Sequence, residues 1–174
     1  MKEKKRGVLP YLVLIAALVG ADQLVKWLIR TNIPLGGSVD FIPHVMDLTY
    51  VRNTGAAFSI FSQHTWALAL LSAVVSAGLV VLLFRTAKAP LLWKLSLSLV
   101  IAGAVGNLID RALLGFVTDM FRTLFMDFAV FNVADCCITI GVPLLFLYVL
   151  LYVGKDEKKE GEADESAQLP PDGH

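Results

Sequence analysis

Long apolar runs divide this chain, and polar residues cluster between them. Val8 to Ile29 is interrupted only by Asp22 and Lys26, and Trp66 to Phe84 carries no charge. A third run begins at Leu91 with Lys94 near its start, and a fourth, from Val133 to Val153, contains Pro143. Runs of about 20 residues are long enough to cross a bilayer as helices. They predict spans at about 8–29, 66–84, 91–111 and 133–153. Asp22 and Lys26 stand four apart with the acid first, so they share a helix face in the favourable order for an ion pair. Lys94 sits where a long side chain can snorkel to the interface, and Pro143 is expected to bend its helix.

The segments between the runs read differently. Thr31 to Gln63 is punctuated by Pro34, Gly36, Gly37, Pro43 and Gly55. Phe41-Ile42, Leu48-Thr49-Tyr50-Val51 and Ala57-Phe58-Ser59-Ile60 read as short strands of a small sheet outside the membrane. Ala112 to Val130 is expected to be a second loop on the same side. The tail from Gly154 to His174 is rich in Lys, Glu, Asp, Gly and Pro and reads as a disordered, solvated segment. The expected fold is an all-α membrane protein: four transmembrane helices, a small extracytoplasmic β-sheet and a second outer loop. Residues 1–153 are expected to form one membrane-embedded domain and 154–174 a cytoplasmic tail.

Composition agrees. Of 174 residues 56% are hydrophobic, and a mean hydropathy of +0.68 is too apolar for an ordinary soluble domain. A formal net charge of zero gives no footprint for nucleic acid. The placement of charge matters more. Ten of the fifteen basic residues lie in the N-terminal segment, the 85–94 connection and the tail. By the positive-inside rule both termini are expected in the cytoplasm, with loops 31–63 and 112–131 outside. Lys2, Lys4, Lys5 and Arg6 ahead of an apolar run also describe a signal peptide, with small residues at Ala17 to Ala21. Continuation of the run through Trp27-Leu28-Ile29 favours a span. Cys136 and Cys137 are adjacent, a poor spacing for a bridge or a metal, and read as small apolar helix residues.

This topology brings Asp22, Lys26, Asn107, Asp110, Arg111 and Asp135 to one membrane boundary, where polar groups are costly unless paired or functional. Asn132 and Asp135 have the spacing of a helix N-cap with a reciprocal acid, which alone would explain Asp135. Asp119 reads as a loop acid, and Asp127 is its rival for any role. Asp22 with Lys26 reads as a structural pair or a support for a site. Asp110-Arg111 reads as a helix-end anchor, Asn53-Thr54-Gly55 as a turn, and Asn107 as a buried amide needing partners. The functional reading pairs Asp119 with Asp135. Two close carboxyls share one proton, so one can deprotonate water while the other polarises a carbonyl. The field at a helix N-terminus favours the Asp135 anion. No metal is assigned, since His44 and His64 lack ligand spacing, and no cofactor is implied. Intramembrane acids also mark ion- or proton-coupled transporters, though no repeated halves are seen. Polar residues that only glue the helices of an assembly factor are a third reading.

Five short motifs occur in order: Asp22-Gln23-Leu24-Val25-Lys26, Asn53-Thr54-Gly55-Ala56-Ala57-Phe58, Gly106-Asn107-Leu108-Ile109-Asp110-Arg111, Asp119 after Gly115-Phe116-Val117-Thr118, and Phe131-Asn132-Val133-Ala134-Asp135. Together with four spans, over about residues 8–153, they resemble bacterial lipoprotein signal peptidase, the type II signal peptidase. The family usually has Val-Val-Asp-Phe where this chain has Val117-Thr118-Asp119-Met120, and the Asp119 to Asp135 loop is short for it. The resemblance implies a metal-independent aspartic endopeptidase of the bacterial inner membrane. Its substrates would be diacylglyceryl-modified prolipoproteins in membrane lipid, cut just before the lipidated cysteine, and globomycin-type peptides would inhibit it. It implies Asp119 and Asp135 as the catalytic dyad. Asn53, Gly55, Asn107, Arg111 and Asn132 would line the site. Asp22 and Lys26 would support it.

Overall fold

The structure, a computed structural model, describes residues 7–55 and 65–153. Helix α1 spans Leu9–Asn32, α2 Thr65–Arg85, α3 Leu91–Leu114 and α4 Val133–Tyr148, which continues as a π-turn over Val149–Val153. At 1.5 Å per residue, helices of this length cross a hydrocarbon core of about 30 Å. Four helices among the described residues are long and apolar enough to do so. Pro10 opens α1, where its missing N–H is not needed. Gly115 closes α3 with φ 78°, a left-handed conformation that suits glycine, and its N–H donates to the Arg111 carbonyl. Helix α4 runs on through Pro143.

The bundle is apolar outside and polar inside. Leu70, Val74 and Phe146 on its perimeter are exposed, whereas Lys26, Asp22, Asp110, Asn132, Thr118, Ser96 and Ser98 are fully buried. That inversion is expected where lipid replaces water as the neighbour of the outer surface. Tyr11, Leu83, Leu97 and Ile101 form the apolar core at the end of the bundle that holds the α2–α3 turn. Lys94 reaches back from the first turn of α3 toward the α2–α3 turn. It is buried, its ammonium 4.9 Å from the centre of the Tyr11 ring and 3.4 Å from the Ala87 carbonyl oxygen. An aromatic face and a carbonyl of the α2–α3 turn hold the cation at that end of the bundle.

A three-stranded antiparallel sheet caps the opposite end, in the order β1 (Ser38–Ile42), β2 (Met46–Asn53), β3 (Val117–Thr123). The first two strands come from the 31–63 segment, as expected. The third is a correction: it comes from the segment between α3 and α4, expected to be only a loop. Val51 lies opposite Asp119 and Asn53 opposite Val117, so β2 and β3 bring two distant polar motifs side by side. Ile29, Ile33, Tyr50 and Met120 pack the sheet onto the end of α1. The strand expected at Ala57–Ile60, the basic N-terminal residues, His64 and the tail from Gly154 lie outside the described residues.

Candidate active site

Helix α1 presents Asp22, Lys26 and Arg30 on one face at intervals of four. Lys26 Nζ lies 2.9 Å from Asp22 Oδ2 and 3.5 Å from Asp110 Oδ2, and donates to Asn107 Oδ1 at 3.0 Å. The other Asp22 oxygen accepts the Ala134 N–H at 2.9 Å, which fastens the first turn of α4. Asp110 Oδ2 accepts the Thr118 N–H at 2.8 Å, which fastens the start of β3 to α3. Arg30 donates to Thr118 Oγ1 at 3.0 Å and stands 3.9 Å from Asp110. Gln23 Nε2 links Asp22, the Gly106 carbonyl and Asp110 at 3.0–3.2 Å. Two acids and two bases are thus paired and hydrogen-bonded, the condition for holding charge inside a bundle.

Close packing makes this possible. A Cβ on Gly106 would lie 2.7 Å from Asp22 Oδ2, and one on Gly103 would collide with the Ala134 carbonyl oxygen. These two glycines let α1, α3 and α4 approach closely where the polar groups meet.

Asn132 caps α4 in a reciprocal box. Its Oδ1 accepts the Asp135 N–H at 3.0 Å, and Asp135 Oδ2 accepts the Asn132 N–H at 3.2 Å. The same Asn132 side chain reaches β3, donating Nδ2 to Asp119 Oδ1 at 2.7 Å. Asn53 donates to the other Asp119 oxygen at 3.0 Å, and Asn107 donates to Asp135 Oδ1 at 2.8 Å. Asp119 and Asp135 therefore share one bridging residue, and all four of their oxygens accept hydrogen bonds. Both line a cavity of about 510 Å³, which Arg111, Asn53 and Asn107 also line. Arg111 Nη2 donates to the Gly55 carbonyl at 3.1 Å. Phe128 and Phe131 wall the cavity on one side and Ile138 and Ile140 of α4 on another. Burial pushes the Asp119 carboxyl from 3.8 up to about 6. The donors Asn132 and Asn53 oppose that rise, the neighbouring Asp135 charge adds to it, and Lys26 opposes it.

The family model for signal peptidase (SPase) II matches residues 14–151. The chain belongs to the signal peptidase II family. It is 42% identical over 159 residues to the lipoprotein signal peptidase of Enterococcus faecalis, covering 90% of this chain and 96% of that one. It is 44% identical over 147 residues to that of Streptococcus pneumoniae, covering 84% and 95%. A solved bacterial membrane enzyme superposes with a TM-score of 0.77 at 31% identity, covering 95% of this chain and 94% of the other. A second gives 0.75 at 34%, covering 82% and 94%. This signal peptidase II is thus a protease with the architecture of a multi-pass bacterial membrane protein, and nothing supports the transporter reading.

The residues singled out in the sequence fall into two layers of this peptidase. Asp119, Asp135, Asn53, Asn107 and Arg111 line the cavity, with Asn132 buried between the two acids. Asp22, Lys26 and Asp110 lie behind them, and Gly55 holds Asn53 and Arg111 through its backbone. Asp127 is exposed on the β3–α4 connection and is not among the cavity residues. Sequence reasoning gave no role to Gln23, although it stands inside the Asp22–Lys26 motif. It also gave none to Thr118, Arg30 or the Phe128–Phe131 wall. The β-branched and aromatic residues Phe116, Val117, Thr118 and Phe121 were the available signal for β3. Cys136 and Cys137 are free thiols in α4, and Cys136 lines the cavity.

Proposed function

We propose that this signal peptidase is an aspartic endopeptidase whose dyad is Asp119 and Asp135, with residues 1–153 working as one membrane-embedded peptidase domain. The observation that carries the reading is Asn132, which hydrogen-bonds both acids within one cavity. Asp119, its carboxyl raised to about 6, holds the shared proton and gives it to the oxygen of the scissile carbonyl. Asp135 takes a proton from water, whose oxygen bonds to the carbonyl carbon. As the C–N bond then breaks, the leaving amine takes the proton from Asp135, and the new carboxyl returns one to Asp119. Asn53, Asn107 and Asn132 hold the carboxylates. Arg111, which lines the cavity with Nη2 on the Gly55 carbonyl, supplies a donor to the substrate backbone. The reaction is metal-independent: every oxygen of the dyad already faces an N–H donor, an arrangement suited to bare carboxyls.

The relatives are named lipoprotein signal peptidases, and prolipoproteins are the substrates of this chain. The finer reading is that diacylglyceryl on the substrate cysteine holds it in the lipid leaflet beside the cavity, with the signal helix among the spans and the cut just before that cysteine. Binding energy from these apolar parts then positions the scissile bond. The basic residues at the N-terminus, in the 85–94 connection and in the tail orient both termini to the cytoplasm and the sheet and cavity to the outer face. Globomycin, a cyclic peptide, competes for the cavity. Purified protein should cleave a diacylated precursor and spare the non-lipidated one, with globomycin blocking cleavage and EDTA leaving it intact. Equal cleavage of both precursors would contradict the lipid requirement, and loss with EDTA the metal-free dyad.

A further inference from the structure

An asparagine amide has a donor end and an acceptor end of nearly the same shape, so its neighbours decide which end faces a carboxylate. Three asparagines point their nitrogens at the dyad, and each is held that way by a donor on its oxygen. For Asn53 the donor is the Gly55 N–H at 2.9 Å. For Asn132 it is the Asp135 N–H at 3.0 Å. Both are backbone groups. For Asn107 the oxygen faces Lys26 Nζ at 3.0 Å and, at a longer 3.2 Å, Asn132 Nδ2.

Lys26 differs from the other two locks in being a side chain, with no solvent exposure and no place among the cavity residues. An ammonium has only donors, so an amide beside it can present only oxygen. Asp22 at 2.9 Å fixes where that ammonium sits.

We propose that Lys26 is a positioning residue for the dyad, acting through Asn107 by fixing which end of its amide meets Asp135. The inference rests on the dyad reading above. With Lys26 in place, Asn107 presents its N–H to Asp135 Oδ1 at 2.8 Å and holds the anion that takes the proton from water. Without Lys26, Asn107 keeps only the 3.2 Å hydrogen bond from Asn132 on its oxygen, so its amide is held less firmly and its donor is less well aimed at Asp135. The anion that must deprotonate water is then less well oriented, and catalysis falls. Substrate meets the same cavity wall in either case.

The test is a double-mutant cycle of Lys26→Met and Asn107→Ala, read as kcat and KM on a diacylated precursor. Lys26→Met should lower kcat by about tenfold with KM unchanged within about threefold, the pattern of a lost transition-state contribution. In the Asn107→Ala background the same change should lower kcat by less than about threefold, since interacting residues are not additive. If Lys26→Met fails to accumulate in membranes, the cycle is run from Asp22→Asn/Lys26→Met, which removes the buried acid with the base. Equal losses in both backgrounds, or a loss carried by KM, would overturn the lock. A wild-type protein inert toward the precursor would instead contradict the peptidase reading itself.

Discussion

Asn132 donates its side-chain amide to Asp119, Nδ2 to Oδ1 at 2.7 Å, from the cap position of the helix that carries Asp135. One residue therefore ends a loop, starts a helix and ties that helix to a strand of the sheet. Asn132→Ala should lower cleavage by about a hundredfold, comparable to losing a preorganised donor at a reacting group. It should also cost about 1 kcal/mol of stability through the lost cap. Cleavage kinetics and thermal unfolding in detergent check the two effects separately.

The raised Asp119 carboxyl gives the reaction a pH signature. The charged groups around it are Asp135 on α4, Lys26 on α1 and Arg111 on α3. The active pair needs one proton, which is lost as pH rises. The basic limb of kcat/KM, a property of the free enzyme, should therefore have its midpoint at about 6. Folding responds to the same group. Its folded value of about 6 lies above the reference 3.8. Its contribution to stability is therefore complete below 3.8 and lost as pH rises through about 6. The Tm difference between Asp119→Asn and wild type should shift in favour of the variant across that interval.

Gly103→Ala probes the close approach of α3 and α4. The added methyl would strike the Ala134 carbonyl and lie 2.6 Å from Ile138 Cγ1. Overpacking of this kind costs about 1–3 kcal/mol, and it displaces Asn107, one turn along α3, from Asp135. Thermal stability and cleavage should both fall. Gly20→Ala on α1, where nothing among the described residues lies within 4 Å, is the control and should keep both.

The helices were legible because bilayer thickness imposes a length on apolar runs, and these runs are bounded by charges and breakers. The capping box of Asn132 and Asp135 was legible because it is local. The role of Asp119 was harder to read. Strand β3 is held by pairing with β2, from the segment between α1 and α2, and no local pattern records such a partner. Asp127, nearer Asp135 in sequence, therefore remained its rival until the register placed Asp119 opposite Val51. The partner of Lys94 went unread for a related reason: its place along α3 is local, but the Tyr11 ring beside its ammonium belongs to another helix.

The dyad is tested most directly by cleavage of a diacylated precursor with Asp119→Asn, Asp135→Asn and Asp127→Asn, each compared at equal amounts of inserted protein. The expected result is no detectable cleavage by the first two and wild-type cleavage by the third. Normal cleavage by Asp119→Asn or Asp135→Asn would contradict the account.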